Sequence, residues 1–181
     1  MINDINSESQ LIAGALKGDE NACRGLLNSY KGRIFSYVYR IVKNYHDAEE
    51  ITFDTFVRCF KSLNSFDRTK NFSTWLYTIA HNMAIDFLRK KKIDYDYLDE
   101  RYADIASDKY LARDFEKKQK LNKVDQALNR LAPMDREIVI LFHKEEKSYE
   151  EISEILKIPT TTIKTRLHRA RIKLRELLKK E

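Results

Sequence analysis

Glycine and proline are scarce in this 181-residue chain, at four and two respectively, and no glycine falls after position 32. A glycine-rich loop cradling phosphate is therefore excluded over most of the sequence, because the backbone needs glycine where it approaches the anion. So few turn formers also argue against a fold of many short strands. Cysteine is equally rare. Cys23 and Cys59 form no CxxC pair, and no histidine stands at zinc spacing, so no metal site and no cofactor are expected. No apolar run approaches the ~18 residues that cross a bilayer, and the polar start MINDINSESQ lacks a signal peptide's basic and apolar regions. A cytoplasmic protein is expected.

What remains is charge and helical periodicity. The net charge is +6, and 43% of residues are hydrophobic, enough for real cores. Residues 1–92 hold 14 basic against 10 acidic residues, residues 93–109 hold 2 against 6, and residues 110–181 hold 18 against 12. Two basic blocks around an acidic spacer suit two nucleic-acid contacts joined by a tether.

The expected fold class is all-α: two small helical domains joined by a flexible acidic linker, the C-terminal one a helix-turn-helix. The expected bounds are 1–92, linker 93–112 and 113–181. Apolar spacing predicts helices over 7–17 with Ser7 as cap, from Asp19 through Ile41, from His46–Asp47 to Leu63, and from Ser73 to Arg89. Acidic residues and tyrosines then alternate without helical period. A helical pattern resumes near Arg113, and Pro133 suits the start of the next helix.

The richest segment is Ser148–Glu176, SYEEISEILKIPTTTIKTRLHRARIKLRE. Ile152, Ile155 and Leu156 mark the inner face of one helix. Ile163, Leu167, Ala170, Leu174 and Leu177 mark that of a second. The bend falls at Lys157–Ile158–Pro159, with Thr160 or Thr161 as candidate cap. Such a pair places its second helix in the DNA major groove. Thr161, Lys164, Thr165 and His168 then face outward, where Lys164 suits a guanine edge and Thr165 offers hydroxyl and methyl. Arg166 and Arg169 reach bases or phosphates, while Arg171 and Lys173 suit backbone contacts or solvated charges. A plain helical hairpin with a solvated basic face is the bland alternative.

Three motifs in order, HDAEEITFDTFVRCFKSLNSF, FSTWLYTIAHNMAIDFLRKKK and SYEEISEILKIPTTTIKTRLHRARIKL, resemble the extracytoplasmic-function sigma factors of bacterial RNA polymerase. The resemblance implies an N-terminal domain that binds core polymerase and reads and melts the −10 promoter element. It implies a C-terminal domain that reads the −35 element. Partners would be core RNA polymerase, promoter DNA (duplex at −35, single-stranded at −10) and an anti-sigma factor. Asp47, Glu49, Glu50 and Asp54 would meet polymerase, with Phe53 standing where the family commonly has a polar residue.

By the same similarity, Phe66 and Asn82 line the pocket for an extruded −10 base; from residue type, Phe72 is a second apolar residue of that polar loop and Arg68 and Lys70 suit phosphates. Lys164, Thr165, Arg166, His168 and Arg169 match −35 contacts. Related members often carry a larger apolar or aromatic residue in place of His168. Lys157 and Thr161 stand where the family usually has Gly. The acidic tether would occupy a basic path on polymerase.

From the residues alone, anchoring the loop on the core is the lesser alternative for Phe66 and Phe72. Trp75 suits the core, and His81 reads as a satisfied histidine. Two other functions compete. A regulator that binds operator duplex without polymerase would need a ligand pocket or dimerisation helix. An enzyme acting on nucleic acid would need clustered acids or an activated nucleophile, and Asp86 with His81 completes neither.

Overall fold

The computed structural model describes residues 2–97 and 123–179, with side chains for 8–91 and 124–179. Contacts divide the chain into two compact units, Met1–Ala84 and Ile85–Glu181. The described residues are helical, in keeping with the all-α expectation.

The first unit contains α1 (Ile2–Leu16), α2 (Glu20–Val42), α3 (Tyr45–Ser62), a 3-10 turn at Leu63–Ser65, and the first half of α4 (Phe72–Tyr97). Asp19 opens α2 as expected, its carboxylate accepting from the backbone N–H of Asn21 (2.8 Å) and Ala22 (3.4 Å). The helix ends on Lys43, left-handed at φ 57°. Asn44 then caps α3, accepting from the N–H of Asp47 at 3.0 Å.

Ile34, Tyr37 and Val38 of α2, Ala48, Ile51 and Cys59 of α3, and Leu76, Tyr77, Ala80 and Ala84 of α4 form the sealed core. Tyr37 and Tyr77 meet edge to face with ring centroids 5.0 Å apart. Thr55 in α3 reaches the Met83 sulfur of α4 at 3.8 Å. Burial pushes the Cys59 thiol up to about 12, so it packs as a small apolar residue.

Helix α1 lies close on α2. A Cβ built on Gly14 would stand 2.7 Å from the Ala22 Cβ, and one on Gly25 would stand 2.7 Å from Leu11 Cδ2. The hydroxyl of Tyr30 donates to Glu8, fastening the same pair; burial and that acid raise the phenol's pKa.

Two boundaries differ from the sequence reading. Helix α1 begins at Ile2, which puts Ser7 inside the helix rather than at its cap. Helix α4 continues to Tyr97, past the expected linker start at 93, because the cationic run Arg89–Lys92 contains no helix breaker. The remaining linker to 112 and the renewed helical pattern from Arg113 lie outside the described residues until Lys123.

The second unit contains α5 (Lys123–Asn129), α6 (Pro133–His143), α7 (Tyr149–Leu156) and α8 (Thr160–Lys179). Pro133 opens α6 as expected. Ser148 and Glu151 form a reciprocal capping box at α7, with N–H to side-chain distances of 3.1 and 2.9 Å. The same Glu151 accepts from Lys147 at 3.4 Å, and the Lys147 side chain is only 5% exposed.

Ile152, Ile155 and Leu156 of α7 are buried, as are Ile163, Leu167 and Ala170 of α8 and Ile138 and Leu141 of α6. Each fully buried Ile or Leu contributes ~1.5–3 kcal/mol, so this apolar seam outweighs any single cap. Lys157 takes the left-handed turn at φ 56°, ψ 38°. The carbonyl of Pro159 accepts from Ile163 N–H at 3.1 Å. The N-terminal boundary of α8 is thus at Pro159, one residue before the expected threonine cap.

Candidate nucleic-acid interface

Helix α8 carries the clearest candidate surface. Its buried stripe of Ile163, Leu167 and Ala170 fixes which side turns away. The opposite side presents Thr161, Lys164, Thr165, His168 and Arg169, all exposed. Their spacing of 0, 3, 4, 7 and 8 places all five on one face of a 3.6-residue helix. A shallow concavity of about 410 Å³, bordered by Asp135, Thr161, Thr162, Thr165, Arg166 and Arg169, runs along this side.

Three of the helix's cations are held within the unit. Arg166 Nη1 donates to Asp135 Oδ1 at 2.8 Å, tying α8 to the first turn of α6. Lys164 Nζ lies 5.3 Å from the ring centroid of Tyr149 at the start of α7. Arg171 places its guanidinium 5.0 Å from the Phe142 ring and donates from Nε to His143 Nε2 at 3.2 Å. Partial burial, and then the Arg171 charge, hold the His143 pKa below its usual range. Arg166 is thus a helix-to-helix strut as well as a charge, and Arg171 is a packed cation.

The loop between α3 and α4 is the second candidate. Phe66 is 8% exposed and Phe72 is 2% exposed. Phe66 lies 5.4 Å from Phe72 and 5.1 Å from Trp75, and Phe72 meets Tyr30 at 5.6 Å. In this conformation both phenylalanines anchor the loop, the alternative that the residue types left open. Phe72 is sealed too deeply to offer a stacking face.

Asp67 closes the turn, accepting from the Thr69 N–H at 3.0 Å and its hydroxyl at 2.7 Å. Those bonds hold the Asp67 carboxyl below its ordinary pKa. Arg68 and Lys70 are exposed at the loop's tip. Asn71 caps α4, accepting from Thr74 N–H at 3.3 Å. Asn82 is exposed, whereas His81 beside it is 9% exposed and built into the unit. Asn82 lies two helical turns beyond Trp75, roughly 10 Å along α4.

A third surface is the outer side of α3. Glu49, Glu50, Phe53 and Asp54 are exposed. Asp47 is half-buried at the capped first turn, where its carboxylate also suits the helix dipole. Among the described residues, no group of three or more His, Cys, Asp or Glu could hold a metal ion.

Sequence reasoning missed Asp135, Tyr149, Asn44 and Asn71. Asp135 stands 31 positions from Arg166, so no local pattern could pair them. The S-x-x-E signature at Ser148, by contrast, was there to be read.

Two family profiles match the chain. Residues 26–93 match the family described as Sigma-70 region 2, and residues 121–174 match Sigma-70, region 4. The ECF RNA polymerase sigma factor SigW of Bacillus subtilis (strain 168) is 40% identical over 173 residues, covering 90% of this chain and 92% of that protein. RNA polymerase sigma factor SigV of the same organism is 32% identical, covering 86% and 90%.

The sigma factor RpoE of Bartonella quintana, solved in complex with the anti-sigma factor NepR, has a TM-score of 0.70 at 25% identity. That match covers 86% of this chain and 96% of RpoE. CnrH, solved with the cytosolic domain of CnrY, shares the fold at a TM-score of 0.69 and 24% identity, covering 97% and 99%. The chain belongs to the ECF RNA polymerase sigma factors.

Proposed function

We propose that the two units divide promoter recognition between intact and opened DNA. The exposed stripe Thr161, Lys164, Thr165, His168 and Arg169 on α8 carries this reading. It is short, polar and cationic, and a hydrophobic seam holds it rigidly from behind. That surface suits the −35 major groove, with Thr165 and Lys164 at base edges and Arg169 on base or phosphate. Arg166, braced by Asp135, positions the helix and contributes positive field at the same edge.

The α3–α4 loop and the exposed face of α4 take the −10 strand. Opening DNA requires no catalytic group, only a site where an extruded base is more stable than in the stack. Extrusion costs a few kcal/mol, while stacking recovers about 1–3 kcal/mol per base. Asn82 offers a donor and an acceptor to a base edge. Phe66 forms the floor of that site and Phe72 supports it from the core. Arg68 and Lys70 hold the strand's phosphates.

Asp47, Glu49, Glu50 and Asp54 of α3 meet a basic surface of core polymerase. An anti-sigma protein restrains the chain, as NepR accompanies RpoE in its complex. The chain works in the cytoplasm and is not an enzyme. No helix among the described residues is long and apolar enough to cross a membrane.

The decisive experiment reconstitutes core polymerase with this chain and maps transcript starts across promoter libraries. New starts downstream of paired −35 and −10 elements are expected. Starts identical to those of core enzyme alone, together with tight operator-like duplex binding by the free chain, favour an ordinary helix-turn-helix regulator instead.

A further inference from the structure

Lys164 reaches outward from α8 with an aromatic ring behind it. Its Nζ lies 5.3 Å from the ring centroid of Tyr149, the first residue of α7, yet the lysine remains exposed. An ammonium over a ring face turns one side to the π cloud and keeps N–H donors for another acceptor.

The ring itself is held in place. Tyr149 stacks on Phe142 of α6, with centroids 5.1 Å apart and planes 25° off parallel. The Arg171 guanidinium covers Phe142 at 5.0 Å and donates to His143 at 3.2 Å. The Ser148–Glu151 capping box fixes the backbone that leads into Tyr149. Lys164 and Arg171 stand two turns apart on α8, roughly 10 Å. One flank of the helix thus sets both cations against a single stacked pair.

That placement matters because an unrestrained lysine is a blunt reader. Its ammonium is a point charge on a flexible stem, with much rotamer entropy to lose on docking. A rigid plate beneath it removes part of that freedom before DNA arrives.

We propose that Tyr149 is a positioning residue for promoter specificity, its ring pre-setting Lys164 toward one base pair of the −35 element. The inference rests on the −35 reading of α8 given above and names a group that sharpens it. Tyr149 acts through Lys164 by its ring face, not by its hydroxyl. Phe142 and Arg171 serve the same end from behind.

The test reconstitutes core polymerase with the full-length chain and measures binding to promoter fragments changed one base pair at a time across −35. Lys164→Gln should identify the position whose preference depends on the lysine. Tyr149→Leu should lower preference at that position about twofold to fivefold, the worth of one exposed cation–π contact. The other positions should stay as in the wild type, and Tyr149→Phe should retain most of the preference. In the Lys164→Gln background, Tyr149→Leu should have no further effect there. Preference is a ratio of two affinities of one preparation, so any loss of folded chain cancels from it.

An unchanged preference in Tyr149→Leu overturns the proposal. So does an equal loss at every position, which makes the ring a fold element or a general backbone contact. A loss in Tyr149→Phe as large as in Tyr149→Leu assigns the effect to the hydroxyl and overturns it too. If Lys164→Gln shifts no position while the wild type keeps its preferences, the proposal falls and the −35 assignment of α8 stands. A wild-type polymerase indifferent to every −35 change sinks both together.

Discussion

Single side chains on α8 divide into those that reach outward and those that brace the helix, and the two kinds should respond differently to mutation. Arg169 is exposed at the end of the outward stripe. Replacing it with Ala should weaken −35 duplex binding and lower the slope of log affinity against log salt by about 1, as expected for one lost phosphate neutraliser. Asp135→Asn removes the acceptor charge for Arg166. Its ion pair is partly exposed, so the stability loss should stay within ~1 kcal/mol. Duplex affinity should still change measurably in titrations, because Arg166 loses its restraint. On the other unit, Asn82→Ala should slow strand opening, followed by permanganate reactivity of the −10 region, and leave −35 binding of the free chain intact.

At the scale of the element, caps and close approaches decide the expected energetics. Ser148→Ala breaks both halves of the capping box on α7 and should cost about 1 kcal/mol by thermal or urea unfolding. Gly14→Ala gains up to ~1 kcal/mol of helix propensity, but its new methyl would meet Ala22 Cβ at 2.7 Å. Overpacking against a rigid neighbour costs ~1–3 kcal/mol, so net destabilisation is expected. At Gly25 the opposing atom is the movable end of Leu11, and the same change should be milder.

Periodicity made most of these elements legible in the sequence: the α7–α8 pair, the Asp19 cap, the Pro133 start and the outward set on α8 were all readable. What stayed hidden was interaction across distance. Asp135 with Arg166, Arg171 with Phe142, and Phe66 with Trp75 depend on how helices cross, which spacing along one helix does not encode. The far end of α4 was misplaced for the opposite reason. Tyrosines and acids at 94–97 lack apolar rhythm, yet nothing there breaks a helix already propagating.

For the whole molecule, charge and pH act on the two units separately. His143 has its folded pKa depressed, so between that value and its unfolded pKa of about 6.5 the unfolded chain binds more protons. The associated stability is complete above the unfolded value and declines as pH falls through the folded one. Melting of the C-terminal unit should therefore move down modestly below pH 6.5, and His143→Gln should reduce that dependence. Each unit has its own sealed core, with the boundary falling inside α4. Ser148→Ala and Gly14→Ala should thus shift unfolding additively. Separate cores also make the halves interchangeable parts: a hybrid joining residues 1–97 of this chain to a relative's C-terminal unit should inherit its upstream preference from the donor and its melting preference from this protein.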